Sequence, residues 1–129
     1  MLDPAVALAR SLHEGDHRDT ALTMDEQGQL LEERGDHAGA EALFRESLAM
    51  LQRLRPGDDV DVASLLNNLA EVQRSKGDLA DAERLFRDSL EMTRRLEPGD
   101  SRRVAQGIDN LAKAAWEQLI STQSGRRFT

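Results

Sequence analysis

The 129-residue chain has no cysteine, so it carries neither a disulfide framework nor a thiolate metal site, and nothing in it requires an oxidising compartment. Tyrosine is absent, and three phenylalanines and one tryptophan are too few for a platform on which nucleic-acid bases could stack. Positive charge is scarce too: 17 Lys and Arg stand against 24 Asp and Glu, a formal charge of −7. A nucleic-acid surface needs a basic stripe to displace phosphate counterions, and this balance opposes one. No apolar run approaches the roughly 20 residues that cross a bilayer. The opening MLDPAVALARS lacks the basic start and long apolar centre of an export signal. These absences lead to the expectation of a cytoplasmic protein with no membrane and no nucleic-acid partner. Strand-like alternation is missing as well, which leaves an all-helical fold.

What the chain does have is self-similarity. A shift of 42 residues carries Gly35-Asp36 onto Gly77-Asp78, Phe44 onto Phe86, Leu48 onto Leu90, and Pro56-Gly57-Asp58 onto Pro98-Gly99-Asp100. The same shift lays Asn68-Leu69-Ala70 on Asn110-Leu111-Ala112. A fixed period with helical spacing inside it is the signature of a stacked array, in which each unit buries its apolar face against its neighbours.

The most complete unit spans 59–98, with an earlier copy at 19–56. Within each, a first helix ends at Gly35 or Gly77, residues free to take the left-handed conformation, and Asp36 or Asp78 caps the second. Pro56-Gly57 and Pro98-Gly99 close the units. Residues 1–15 read as the second half of a unit, since Leu8 falls on Met50 and Leu12 on Leu54. A terminal helix covers 101–120, and Leu119 stands where a stopping glycine is due, so no second helix is expected after it. Residues 121–129 read as a flexible tail. The expected architecture is one domain over residues 1–120, an antiparallel helix-pair solenoid of about five helices.

The residues Asn67-Asn68-Leu69-Ala70, Gly77, Ala82, Phe86 and Gly99-Asp100, with Gly28, Gly35, Ala40 and Phe44 in the earlier unit, resemble the tetratricopeptide repeat in the 42-residue form of the kinesin light chain. The resemblance covers nearly the whole chain. The departures are Ser47 and Ser89 where a small alanine is usual, Gln27 where a core leucine is expected, and only about two full units.

The resemblance implies that the first helices line a concave groove that binds a peptide or helix of another protein, and that the chain is non-catalytic and needs no cofactor. By the same resemblance the inward positions are Leu22, Asp25, Glu26, Gln29, Glu32 and Glu33 in the earlier unit. Ser64, Asn67, Asn68, Glu71, Arg74 and Ser75 follow in the complete unit, then Gln106, Asp109, Asn110, Lys113, Trp116 and Glu117 in the last helix. An asparagine amide suits such a place because it donates and accepts without adding charge. The groove reads as graded, with four carboxylates at one end and Asn, Arg and Lys toward the other, which matches a partner with basic residues at one end. The bland reading of Asp25, Glu26, Glu32 and Glu33 is a solvated helix face. Trp116 either covers the exposed end of the stack or stands in the groove as an apolar anchor, and the reading favours the groove.

Three alternatives stand beside this one. The chain reads also as a sensor or oligomerisation piece of a larger signalling regulator, and its open ends as surfaces that pack on a second copy or another protein. His13-Glu14-Gly15-Asp16-His17 spells the H-E-x-x-H zinc pattern, which works when one helix face carries both imidazoles. Gly15-Asp16 falls at the turn between units, and the repeat already accounts for His17, so no metal site is assigned. Asp58, Asp59 and Asp61 fall short of a calcium cage, and helix capping explains them.

Overall fold

A computed structural model describes residues 4–12 and 15–127. These residues form six helices, α1 (Pro4–Leu12), α2 (Arg18–Glu33), α3 (His37–Leu54), α4 (Val60–Lys76), α5 (Leu79–Leu96) and α6 (Arg102–Arg127), and no strand occurs among them. This agrees with the expected all-α solenoid of about five helices. The starts of α2, α4 and α6, at 18, 60 and 102, are 42 residues apart, as are those of α3 and α5 at 37 and 79. The chain is thus an all-α, antiparallel helix-pair solenoid: α2 packs on α3 and α4 on α5, while α1 and α6 lie at the two ends.

Local chemistry explains the helix boundaries. The Asp36 carboxylate accepts from the Gly39 N–H at 2.9 Å, and Asp78 accepts from Asp81 at 3.3 Å, which satisfies donors that a first helical turn leaves free. Asp59 caps α4 by accepting from the Asp61 N–H, and the Ser101 hydroxyl accepts from Val104 at the start of α6. At the other ends Gly35 and Gly77 take φ of 85° and 89°. The following Asp36 and Asp78 N–H groups then reach back to the Leu31 and Gln73 carbonyls, the paired closure that a left-handed glycine permits. α6 has no such glycine. It runs on to Arg127, through residues that the sequence reading gave to a frayed tail, because Leu119 cannot adopt the conformation that stops α4 at Gly77.

Inside each unit the two helices are joined by the same parts. Phe44 and Phe86 are buried between them. Ser47 and Ser89 are buried too, and donate their hydroxyls to the carbonyls of Ala21 and Ala63 on the partner helix. A serine replaces the expected alanine at no cost because its hydroxyl is hydrogen-bonded. Gly28 is required by Phe44, since a Cβ there would lie 2.6 Å from the ring. On the outer side, Arg53 grips Asp16 through two hydrogen bonds of 2.6 and 2.8 Å, and Arg95 grips Asp58 at 2.8 and 3.0 Å. The core is continuous along the stack, from Val6 through Met24, Leu51 and Leu65 to Ala114.

Candidate functional site

The first helices α2, α4 and α6 are tied side to side by a ladder of polar side chains. Asn68 donates to Asp25 at 2.9 Å, Asn110 donates to Asn67 at 3.0 Å, and Arg74 donates to Glu117 at 3.0 Å. Every rung joins a residue to the one 43 positions further on. Because the units repeat every 42 residues, each helix offers one residue to the neighbour before it and the adjacent residue to the neighbour after it. In α4 these are Asn68 and Asn67.

The ladder leaves defined capacity unused. Gln106 donates to Asn110 and Asn110 to Asn67, so hydrogen-bond donation runs toward Asn67, whose own N–H₂ group has no partner among the described residues. Asn68 and Gln29 both donate to Asp25, and the Asn68 side-chain carbonyl has no partner among the described residues. Asp25 is half-buried and has no cationic partner among the described residues. Burial pushes its carboxyl above the ordinary range, the hydrogen bonds from Asn68 and Gln29 oppose this, and the nearby Asp61 and Glu26 charges add to the rise. Its ionised form is therefore short of positive charge.

The other expected site residues sort into two sets. Glu71, Arg74 and Glu117 form one ion-paired group, with Arg74–Glu71 at 2.7 Å, and Lys113 pairs with Asp109 at 3.0 Å. Burial opposes the positive charge of Arg74, but the two carboxylates more than offset it and raise its pKa. The expected gradient from acid to base is accordingly corrected. Both cations are neutralised by acids of the same face, three carboxylates against two cations on α4 and α6, so that part of the face is close to neutral rather than basic and α2 is its acidic end. Glu32 is held by His37 across the turn between α2 and α3, at 2.7 Å. Glu26, Gln29, Ser64, Gln106 and Trp116 are exposed.

Sequence reasoning missed a cleft of about 230 Å³ at the junction of α4, α5 and α6, beside the ladder. Its walls include Asn67, Asn68 and Asn110, together with Ser64, Thr93 and Gly107. The 42-residue shift shows why the cleft is there. Ser64, Thr93 and Gly107 occupy the positions of Leu22, Leu51 and Leu65 at the preceding junction, where Leu51 and Leu65 are buried in the core. Gly107 also lets α6 approach α5, since a Cβ there would come within 2.9 Å of a Leu90 methyl.

Sequence models of one family, described as Tetratricopeptide repeat, match residues 1–53 and residues 62–101. The chain belongs to the tetratricopeptide repeat family. No curated protein matches it. Tetratricopeptide repeats are in general protein-interaction modules rather than catalysts, which agrees with a face made of amides and carboxylates. In this tetratricopeptide repeat chain His17 serves as a cap: its Nδ1 accepts from the Asp19 N–H at 3.1 Å. The other ends of the zinc-like motif, His13 and Glu14, lie outside the described residues. Among the described residues no group of three or more His, Asp or Glu is placed to hold a metal, and no helix is long and apolar enough to cross a membrane.

Proposed function

We propose that the chain is a non-catalytic adaptor module whose α2–α4–α6 face binds an extended segment of another protein carrying basic residues. The observation that carries this is that two amide groups on successive residues of α4, the Asn67 N–H₂ donor and the Asn68 carbonyl acceptor, are unused among the described residues. Each can hold one backbone group of an extended segment, and Asp25 beside Asn68 is a carboxylate without a cation among the described residues. Fixed by the ladder, these amides lose little side-chain entropy when a partner arrives, which favours affinity. A displayed random-peptide library panned on the wild type and on the Asn67→Ala plus Asn68→Ala variant tests the reading. Enrichment of Lys- or Arg-containing sequences by the wild type alone supports it, and equal enrichment by both proteins sinks it.

A second reading, assembly of copies through the ends of the stack or inside a larger regulator, is favoured by a different observation. Leu8 on α1 is 59% exposed, whereas Met50 at the same place of the next unit is 7% exposed. On α6, Ile108 is 45% exposed, against 8% for its counterpart Leu66. α1 aligns with the second helices and α6 with the first ones, and Leu8 and Ile108 lie on faces that such helices turn to each other elsewhere in the stack. Light scattering across a hundredfold concentration range, repeated with Ile108→Glu, decides between a monomer and an assembly that this change disrupts.

A further inference from the structure

The two junctions between successive first helices are built on one template, and the second holds a cleft walled by Ser64, Thr93 and Gly107 in place of three leucines. At about 230 Å³ it lies below the roughly 300–1,000 Å³ of pockets that enclose whole small molecules. It has room for one or two side chains. The cleft carries no unbalanced charge, because Glu97 and Arg103 at its edge pair with each other at 3.4 Å. Two of its hydroxyls are already committed, Ser89 to the Ala63 carbonyl and Thr93 to the Ser89 carbonyl. Val60, Ala63 and Leu96 supply aliphatic wall. A charged side chain placed here would meet amides and hydroxyls but no unpaired opposite charge to offset its lost hydration, whereas an aliphatic one would recover contacts that the missing leucines make at the other junction.

We infer that this cleft is a side-chain specificity pocket: when the α2–α4–α6 face holds an extended segment, as proposed above, the cleft takes one uncharged aliphatic side chain of leucine or valine size while a neighbouring Lys or Arg reaches Asp25. The two subsites are joined by a single residue, since Asn68 both lines the cleft and donates to Asp25 at 2.9 Å. Recognition therefore reads a pair of side chains, one apolar and one basic, with the backbone between them held by Asn67 and Asn68. The inference rests on the interaction-face reading and adds to it the position and kind of one selected side chain.

The test uses N-acetylated, C-amidated hexapeptides of sequence Ala-Ala-Xaa-Ala-Lys-Ala, whose Xaa and Lys fall on one side of an extended chain, with Xaa as Gly, Leu or Glu, titrated into the ¹⁵N-labelled chain and followed by amide shifts. For the wild type the Leu peptide is expected to bind about tenfold more tightly than the Gly peptide, and the Glu peptide no better than Gly. Ser64→Leu and Thr93→Leu each restore a leucine of the packed junction, and each is expected to bring the Leu-to-Gly ratio close to one while the Gly peptide still binds. Asp25→Asn should weaken the Leu and Gly peptides by the same factor and keep their ratio. Dispersed amide spectra of the variants show that they remain folded. A wild-type ratio near one, or a ratio that survives in both filled variants, overturns the pocket, and leaves the interaction face standing if the Asn67, Asn68 and Asn110 amides still shift. If no peptide moves any amide of that face, face and pocket fall together.

Discussion

The junction where α4 meets α2 and α3 and the junction where α6 meets α4 and α5 share the aspartate caps of the second helices and the buried serine clamp, yet the first carries Leu22 and the buried Leu51 and Leu65, where the other opens into a cleft beside Ser64, Thr93 and Gly107. They differ in charge as well. Arg18 binds Asp59 and Asp61 across the first junction, whereas the counterparts 42 residues on are Val60, Ser101 and Arg103, which cannot form that cluster. The comparison teaches that a repeat fold separates its duties by position within the unit. Residues that join the two helices of one unit are duplicated, while several residues between units vary, so one junction is filled by leucines and the other is left with a cleft.

The sharpest way to break that contrast is to remove a leucine from the closed junction. Leu65→Ala is expected to cost about 2–5 kcal/mol in a urea unfolding curve, from lost burial plus the cavity left behind. Thr93→Ala at the open junction should cost less than about 1 kcal/mol, because its neighbourhood is already open. Equal losses would mean that the second junction is as tightly packed as the first.

A smaller effect is expected from Arg18→Val, which copies Val60 into the first junction. Asp59 is buried, and although burial raises its pKa, the hydrogen bond from Arg18 and the backbone N–H groups of Asp61 and Val62 bring it below the ordinary 3.8. A depressed carboxyl contributes stability above its unfolded value and loses it as pH falls through the folded value. The variant should lose about 1 kcal/mol at pH 7, less than a fully buried pair because the guanidinium is 38% exposed and screened by solvent. The loss should shrink as the pH is lowered below 3.8. A pH-independent difference would place the effect in the packing of the Arg18 stem instead.

The smallest expected change has the opposite sign. Asp25→Asn turns the Asp25–Asn68 rung into a copy of Asn67–Asn110. Burial raises the Asp25 pKa, so the folded state holds that proton more tightly than the unfolded chain, and stability falls as pH rises from the ordinary 3.8 through the folded value. The substitution should therefore raise the thermal midpoint slightly at pH 7 and leave it unchanged below 3.8. A drop at pH 7 would show that the ionised rung is better satisfied than its surroundings indicate.

Much of this was legible in the sequence, because the signals that start and stop the helices are local. Gly35 and Gly77, Asp36 and Asp78, and the coincidence of Phe44 with Phe86 fix the units without reference to packing. The far end of α6 was not legible: the missing glycine at position 119 indicates only the lack of a following helix, and the expected terminal helix ends at 120, whereas α6 reaches Arg127. Side-chain pairing was out of reach too. Glu32 and Arg74 belong to the inward stripe by register, but whether they are free depends on His37, Glu71 and Glu117 arriving beside them. The cleft was half visible, since the leucine replacements can be read off the 42-residue shift. That they meet at one place requires three helices in contact, and Thr93 and Gly107 lie off the inward stripe on which attention fell.

The tandem asparagine of α4 has a consequence for how such a chain can grow. Asn67 faces one neighbour and Asn68 the other, so the helix carries a matched plug and socket a single residue apart. A second copy of residues 60–101 inserted after the first would meet its predecessor through Asn67 and its own Asn68, and would present its own Asn67 to Asn110 as before. The amide rungs would be kept at both seams, while Arg74 would meet Ser75 of the copy in place of Glu117 and keep Glu71. Length can therefore be altered by duplicating or deleting one segment of sequence, with no further substitution needed to rejoin the amide ladder.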